Sequence, residues 1–296
     1  MNNVKTVLLL TGLTALFLGI GHLLGGQQGV IIAFVFALIS NFVAYWFSDK
    51  IVLTIYGAKE IKQTEAPELH TVIQALSTAA GIPMPKVYAI RGDAPNAFAT
   101  GRDPNHAAVA VTSGLMGILS KDELSGVIAH ELAHVKNRDT LIQVLAATVA
   151  GAIMMIADMA RFAAIFGGGR RDDDDNGAGA MGLLLMAIVA PFAAMIVQMA
   201  ISRTREYHAD ETGAKICGKP LSLANALKQL ENYNKRIPIL NATPSTAHMF
   251  IVQPFSGGGL LNLFSTHPPV TERVKRLEKL AEQSSNSAYN IPKIIY

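Results

Sequence analysis

Four long apolar runs constrain the fold of this chain most strongly. Residues 6–24 and 29–47 carry no formal charge, and two further apolar runs occupy residues 140–166 and 178–201. Each of the first two is close to the ~20 residues that a helix needs to cross a bilayer. Asp158 and Arg161 interrupt the third run, so we expect its crossing segment at 141–157, and Pro191 is expected to kink the fourth. The sequence therefore predicts an integral membrane protein with four transmembrane helices.

The first run is also compatible with a cleaved signal peptide. No small-x-small cleavage site follows it, and the second run begins almost at once. We therefore expect residues 1–48 to form an uncleaved transmembrane hairpin that ends in the interfacial aromatics Tyr45 and Trp46. Asn41 and His22 are polar residues inside these runs. A helix–helix hydrogen bond or a position near the interface explains them better than a functional role.

Composition agrees with a membrane protein rather than an ordinary soluble enzyme. Half of the residues are hydrophobic, 16% are charged, and the mean hydropathy is +0.32. The net charge of +3 is explained by basic residues that flank the spans, so we expect no nucleic acid partner. Cys217 is the only cysteine, which excludes an internal disulfide, and we interpret it as a small buried residue.

Lysine and arginine are distributed unevenly about the four runs. The connector at 24–28 has none, and in the loop at 167–177 four aspartates outnumber two arginines. The opposite ends of the runs carry Lys5, Lys50, Lys59, Lys62, Lys136, Arg138, Arg203, Arg205 and Lys215. The positive-inside rule therefore predicts that both termini and both polar regions face the cytosol.

The segment HELAH contains the pattern His-Glu-x-x-His and begins at His130. On a helix, His130 and His134 lie on one face, where two imidazole nitrogens can bind one zinc ion. Glu131 lies beside them, where it can hold a water against the metal and take its proton. Ser120 and Glu123 predict a capping box, and apolar residues recur after them at helical spacing, so we expect a helix here.

A catalytic zinc site also needs a third protein ligand and an open position for water. Glu206 and Asp210 lie four residues apart and share a helix face just after the fourth apolar run. About 10 Å of helix separates His134 from the third run and about 8 Å separates Glu206 from the fourth, so these residues would lie at similar heights. A solvated helix end with salt bridges is the alternative. The pattern alone does not choose between the two carboxylates, but the longer side chain of Glu206 favours it as the ligand.

Four shorter elements are predicted in the polar regions. Residues 66–81 have helical periodicity and end at Gly81, and KVYAI at 86–90, NAFAT at 96–100 and residues 106–116 are predicted strands. We expect a hairpin at 1–48, a cytosolic catalytic part at 49–139, a second hairpin at 140–202, and a helical part at 203–296 that completes the zinc site.

Together these motifs resemble the HtpX-type membrane zinc metalloproteases, which are related to the CAAX prenyl endopeptidases. The resemblance covers the N-terminal hairpin, NAFATG, HELAHVKNRDT, SRTREYHAD and STHPPVTERV. It implies an α+β, mostly helical protein with a gluzincin-like zinc metalloprotease domain and one catalytic Zn²⁺. It also implies a multi-pass protein of the bacterial inner membrane whose cytosolic active site disposes of misfolded or damaged membrane proteins, often under stress.

The resemblance also implies roles for individual residues. Glu206 would bind the metal with the two histidines, and Asp210 would orient a ligand histidine through its other ring nitrogen. NAFAT resembles the edge strand that binds substrate backbone in this class. Asn96 and Ala97 are therefore candidate substrate contacts, although an ordinary strand explains them nearly as well.

Two late residues are further candidates for substrate or oxyanion contacts. His267 lies at a helix start, where it could steady the oxyanion, and Arg273 lies on the helix that follows. Local structure at Pro268 and Pro269 explains His267 equally well.

Other functions are weighed against a general membrane endopeptidase. A prenyl-protein endopeptidase would use the same chemistry. An intramembrane metalloprotease would place its motif inside a span, whereas polar residues flank HELAH. A structural zinc site usually has four protein ligands, often cysteines, and only Cys217 is present. We expect the lipid bilayer and polypeptides, membrane proteins above all, as partners; the sequence leaves open whether the protein forms a homo-oligomer.

Overall fold

The computed structural model describes residues 2–146, 203–236, 250–252 and 268–289. In chain order the elements are α1 (Asn2–Trp46), α2 (Ser48–Ile55), β1 (Lys59–Glu60), α3 (Pro67–Ala80), β2 (Lys86–Ile90), β3 (Ala97–Thr100), β4 (Ala108–Thr112), α4 (Ser113–Ile118), α5 (Lys121–Lys136), α6 (Arg203–Cys217), α7 (Pro220–Arg236) and α8 (Val270–Tyr289). A 3-10 turn, Pro104–His106, precedes β4, and residues 140–146 are helical. The prediction of a mostly helical chain with a small sheet is confirmed.

Helix α1 consists of two apolar arms that meet at Gly25 and Gly26, where the backbone leaves helical geometry. Within the described residues, Val4–His22 and Gly25–Trp46 are long and apolar enough to cross a membrane. These segments correspond to the first two predicted spans. The third and fourth predicted spans fall almost entirely outside the residues that the structure describes.

Polar contacts hold the two arms of α1 together. Asn41 on the second arm donates hydrogen bonds from Nδ2 to Thr14 Oγ1 at 2.8 Å and to the Leu10 carbonyl at 3.3 Å. Because a buried amide in an apolar setting needs such partners, this pair favours one register of the arms. Asn41 therefore makes the predicted helix–helix hydrogen bond.

The sheet of the described chain has the strand order β1-β2-β4-β3. Strand β2 is parallel to β4, while β1 and β3 pair antiparallel with their neighbours. The side chains of β4 alternate between two cores: Val109 and Val111 belong to the core that contains α5, and Ala108 and Ala110 belong to the core that contains α2. The strand order places β3, which contains most of NAFAT, at one edge of the sheet, and β3 also contacts α5.

The strand predicted at 106–116 is shorter than the sequence suggested. It ends at Thr112, whose Oγ1 accepts a hydrogen bond from the N–H of Leu115 at 3.2 Å and so caps α4. Apolar residues continue beyond Thr112, but this cap turns them into a helix. The other predicted elements at 66–81 and 86–90 match α3 and β2.

Helix α5 packs against the sheet and against α3, α6 and α7. Its predicted capping box is present: the Ser120 N–H donates to Glu123 Oε2 at 2.8 Å, and the Glu123 N–H donates to Ser120 Oγ at 3.4 Å. Val127, Ile128 and Leu132 are fully buried in the core that α5 shares with the sheet and α7. The HELAH residues therefore lie on a capped helix whose apolar face is fully buried.

Helix α6 approaches α5 closely at Gly213. A Cβ atom at this position would lie 2.8 Å from the backbone N and Cα of His130. The two helices can therefore pack backbone against backbone beside His130 only because residue 213 has no side chain. This contact brings Glu206, two turns earlier on α6, over the HELAH residues.

Candidate metal centre

Three predicted ligands converge between α5 and α6. His130, His134 and Glu206 are 1%, 4% and 0% exposed, and one ligand atom from each lies within 4.8 Å of the others. Glu206 Oε2 is 3.7 Å from His130 Nε2, and Glu206 Oε1 is 3.5 Å from His134 Nε2. Glu206 therefore faces both imidazoles at once.

This donor set fits a zinc ion. Ligands at about 2.0–2.2 Å from a tetrahedral zinc lie about 3.4 Å apart, which is close to the two separations seen here. Two histidines and one carboxylate are also the ligand set of catalytic zinc sites that keep a fourth position open for water. The residues present thus match a catalytic zinc better than a structural one.

Carboxylates face the other nitrogen of each imidazole. Asp210 Oδ1 lies 3.0 Å from His130 Nδ1, and Asp139 Oδ2 lies 3.4 Å from His134 Nδ1. A carboxylate at Nδ1 favours the tautomer that carries its proton there, which leaves the Nε2 lone pair for a metal. The resemblance implied this role for Asp210, whereas no sequence pattern singled out Asp139.

Arg273 lies behind Asp210. Its Nε and Nη2 donate to the two oxygens of Asp210 at 2.8 and 2.7 Å, and its Nη1 donates to the Ile251 carbonyl at 2.8 Å. Burial alone would raise the pKa of the Asp210 carboxyl, but the charge and hydrogen bonds of Arg273 outweigh burial and hold that pKa below its usual value. Asp210 therefore presents a full negative charge to His130.

Negative charge dominates the surroundings of His134. Burial by itself lowers the pKa of His134, but the hydrogen bond with Asp139 and the charges of Glu206 and Glu131 outweigh it and raise that pKa to about 9. A field that stabilises an imidazolium also stabilises a divalent cation in its place. The electrostatics thus agree with the donor geometry.

Glu131 lies between the ligand cluster and the edge of the sheet. It is 8% exposed, and its Oε2 accepts a hydrogen bond from the backbone N–H of Ala99 on β3 at 2.9 Å. The predicted base is therefore held beside the strand predicted to bind substrate. No local sequence pattern predicts this contact, because it joins residues 32 positions apart.

Ala97, a candidate substrate contact, begins β3, and Asn96 directly precedes it. The Thr112 N–H donates to the Asn96 carbonyl at 2.9 Å. In an antiparallel pair the backbone groups of every second residue face the partner strand, so those of Ala97 and Ala99 face away from β4. Asn96 Oδ1 accepts a hydrogen bond from the Ile251 N–H at 3.3 Å. His267 lies outside the described residues.

Comparisons with known proteins find a matching family model and similar sequences. The family model of Peptidase family M48 matches residues 63–281. A "Protease HtpX homolog" from Desulfatibacillum aliphaticivorans is 56% identical over 97% of this chain and 92% of its own length. A protein of the same name from Pyrococcus furiosus is 55% identical over 94% of this chain and 96% of its own length.

One solved structure is similar in fold. The crystal structure of S. mikatae Ste24p matches with a TM-score of 0.53 at 18% sequence identity. The match covers 94% of this chain but only 65% of the length of Ste24p. At this identity the likeness concerns the fold alone.

Proposed function

Because this chain belongs to peptidase family M48 and is a membrane metalloprotease, we propose that it is a zinc-dependent endopeptidase with Glu131 as its general base. His130, His134 and Glu206 are the proposed zinc ligands. The observation that carries the proposal is the buried convergence of these three side chains, with Glu131 directly beside them. Asp210 is proposed to orient His130.

The chemistry of the site follows from these positions. Zinc, when bound, would lower the pKa of its water to about 7 and polarise the scissile carbonyl. Glu131 would accept a proton from that water and pass it to the leaving amine. The hydrogen bond from the Ala99 N–H keeps the Glu131 carboxylate at the edge of β3.

The edge of β3 is the proposed binding site for substrate backbone. Ala97 turns its N–H and carbonyl, and Ala99 turns its carbonyl, away from β4, so an extended polypeptide can pair with these groups as an added strand. The side chain of Asn96, directly before this strand, is a further proposed contact, because the backbone groups of Asn96 already bond Thr112. Pairing through the backbone needs little sequence specificity, which suits an enzyme that cleaves many polypeptides.

Arg273 and His267 stay candidates for substrate or oxyanion contacts. Arg273 Nη2 lies 3.5 Å from His130 Nε2, so the guanidinium borders the ligand cluster as well as Asp210. Its fully buried position and its three short hydrogen bonds favour a role in holding Asp210 and the Ile251 segment.

Membrane proteins are the proposed substrates. Arg102, two residues beyond β3, stacks its guanidinium on the ring of Trp46 at 4.8 Å, and Trp46 is the last residue of the apolar hairpin. This contact supports a placement of the β3 edge next to the point where the hairpin leaves the bilayer. We propose that the enzyme cleaves misfolded or damaged membrane proteins there, on the cytosolic side of a bacterial inner membrane.

A Glu131→Gln variant tests the mechanism. Loss of the base should lower cleavage of an unfolded polypeptide by at least about 100-fold, while zinc content and folding stay normal, because a glutamine side chain has nearly the same shape as glutamate. Glu211→Gln, which changes an exposed carboxylate on α6, is the control and should keep full activity. Normal cleavage by the zinc-loaded Glu131→Gln variant would refute the assignment of the base.

A prenyl-protein endopeptidase is the second candidate from the sequence, and it would use the same metal centre. Cleavage of matched peptides with and without a prenyl group separates the two. Similar rates support a general endopeptidase, whereas cleavage of the prenylated peptide alone supports the alternative.

A further inference from the structure

We propose that Asp139 is a positioning residue for His134 and that Arg205 fixes Asp139 in place. This inference rests on the proposed role of His134 as a zinc ligand. It assigns to the metal centre a second histidine–aspartate–arginine triad, in addition to the triad formed by His130, Asp210 and Arg273.

The contacts of this second triad resemble those of the first. Asp139 Oδ2 lies 3.4 Å from His134 Nδ1, and Asp139 Oδ1 lies 3.3 Å from Arg205 Nε. The side chains of His134, Asp139 and Arg205 are 4%, 5% and 9% exposed. Two charged groups with so little exposure to water need an ion pair to offset their loss of hydration, as Asp210 and Arg273 form.

The backbone after α5 is shaped to bring Asp139 to the histidine. The Asp139 N–H donates to the His134 carbonyl at 2.9 Å, and the Arg138 N–H donates to the Val135 carbonyl at 3.0 Å. These two bonds form a Schellman turn, whose left-handed position usually holds glycine. Here Arg138 occupies it with a φ of 58°, which costs about 1–2 kcal/mol for a residue with a side chain. This Schellman turn folds the backbone back towards the end of α5, so that the Asp139 carboxylate lies beside the ring of His134.

Arg205 connects this turn to the other ligand helix. It directly precedes Glu206 on α6, so the Asp139–Arg205 pair links the second histidine of α5 to the carboxylate ligand. A carboxylate at Nδ1 keeps the His134 proton there and its Nε2 directed at Glu206. Without Asp139, the ring of His134 would lose this partner and its fixed orientation.

The test measures metal binding rather than activity. Metal-free protein is titrated with zinc in competition with a chelator, the visible spectrum of the cobalt-substituted protein is recorded, and thermal unfolding of the metal-free protein is followed. Asp139→Ala should weaken zinc binding about 10–100-fold and change the cobalt spectrum, as loss of an orienting partner does. Asp139→Asn, whose amide oxygen still accepts a hydrogen bond from Nδ1, should recover most of the affinity.

Two further variants separate positioning from folding. Arg138→Gly should keep the turn, because glycine readily adopts the left-handed conformation of residue 138. The zinc affinity of this variant should equal that of the wild type. Arg205→Gln should weaken zinc binding less than Asp139→Ala and does not alter the turn, so it carries the test if Asp139→Ala fails to fold.

One pattern would overturn the inference: Asp139→Ala, or Arg205→Gln in its place, with wild-type zinc affinity and cobalt spectrum and only a lower unfolding temperature. Asp139 would then serve the turn alone. Failure of the proposed function looks different, because His134→Ala would then leave zinc binding of the protein unchanged.

Discussion

Glu206 and Asp210 show how two carboxylates on one helix face take different places in the site. Glu206 lies opposite the Nε2 atoms of both histidines, whereas Asp210 lies at Nδ1 of His130 and pairs with Arg273. The one-turn offset along α6 accounts for the difference. Glu206 points between the two histidines, and Asp210 points to the Nδ1 side of the His130 ring.

These positions predict opposite effects on metal content. Glu206→Ala removes a proposed ligand and should purify essentially without zinc, while Asp210→Asn should bind zinc about 10–100-fold more weakly and still load at raised concentration. Asparagine is used because alanine would leave Arg273 buried without its partner, at a penalty of about 3–5 kcal/mol. Metal analysis of both purified variants is the measurement. A zinc-loaded Glu206→Ala beside a metal-free Asp210→Asn would mean that ligand and orienting residue are exchanged.

The sequence predicted the residues whose roles follow from spacing along one helix. His130, Glu131 and His134 form a known pattern, and Glu206 and Asp210 share a face four residues apart. Asp139 was missed because its place depends on the left-handed turn at Arg138, where a glycine would have signalled the turn and an arginine does not. Tertiary contacts of this kind leave no periodic trace in the sequence.

At the scale of helices and strands, the contact between α5 and α6 decides whether the ligands meet. Gly213 allows it, yet in the sequence it is only a glycine in the middle of a helix, which by propensity weakens that helix by about 1 kcal/mol. The structure gives it a reason: the backbone of His130 occupies the space of a side chain at this position. The bounds of α3, β2 and α5 were predictable from local signals, whereas this close approach was not.

Gly213→Ala should therefore separate the two ligand helices. The added methyl group meets backbone atoms that cannot rotate away, so we expect a loss of about 1–3 kcal/mol in the free energy of unfolding and weaker zinc binding. Gly117→Ala on α4 is the matched control, because a methyl group there meets nothing within 4 Å. It should leave both quantities unchanged or raise the stability slightly. Chemical unfolding and zinc titration of the two variants measure the effect, and equal behaviour would contradict the role of Gly213.

The whole molecule joins an apolar hairpin to a unit of helices and sheet that carries the candidate metal centre. The distribution of basic residues predicts that the hairpin turn at Gly25 and Gly26 lies outside and that α5 lies inside. This orientation follows from sequence alone, because the fold by itself does not distinguish the two sides of a membrane.

Cysteine labelling of intact cells tests the orientation. In a Cys217→Ser background, an impermeant thiol reagent should label Gln27→Cys and Asp172→Cys, while Lys121→Cys reacts only after the cells are permeabilised. Lys121 is exposed at the start of α5, so its cysteine is accessible once the reagent can enter. Labelling of the cysteine at 121 in intact cells, with none at 27 or 172, would reverse the orientation.

The side of β3 that faces away from β4 bears on which polypeptides the enzyme can reach. Residues in a folded helix or sheet have their N–H and C=O groups already paired, so they cannot add to a strand edge without first opening. If substrate binds at this edge, cleavage rates would follow the fraction of time that a target segment is locally unfolded, rather than its amino-acid sequence. The enzyme would then measure the conformational stability of its targets: a membrane protein with an intact fold would escape, and the same protein with one destabilising substitution would be cleaved.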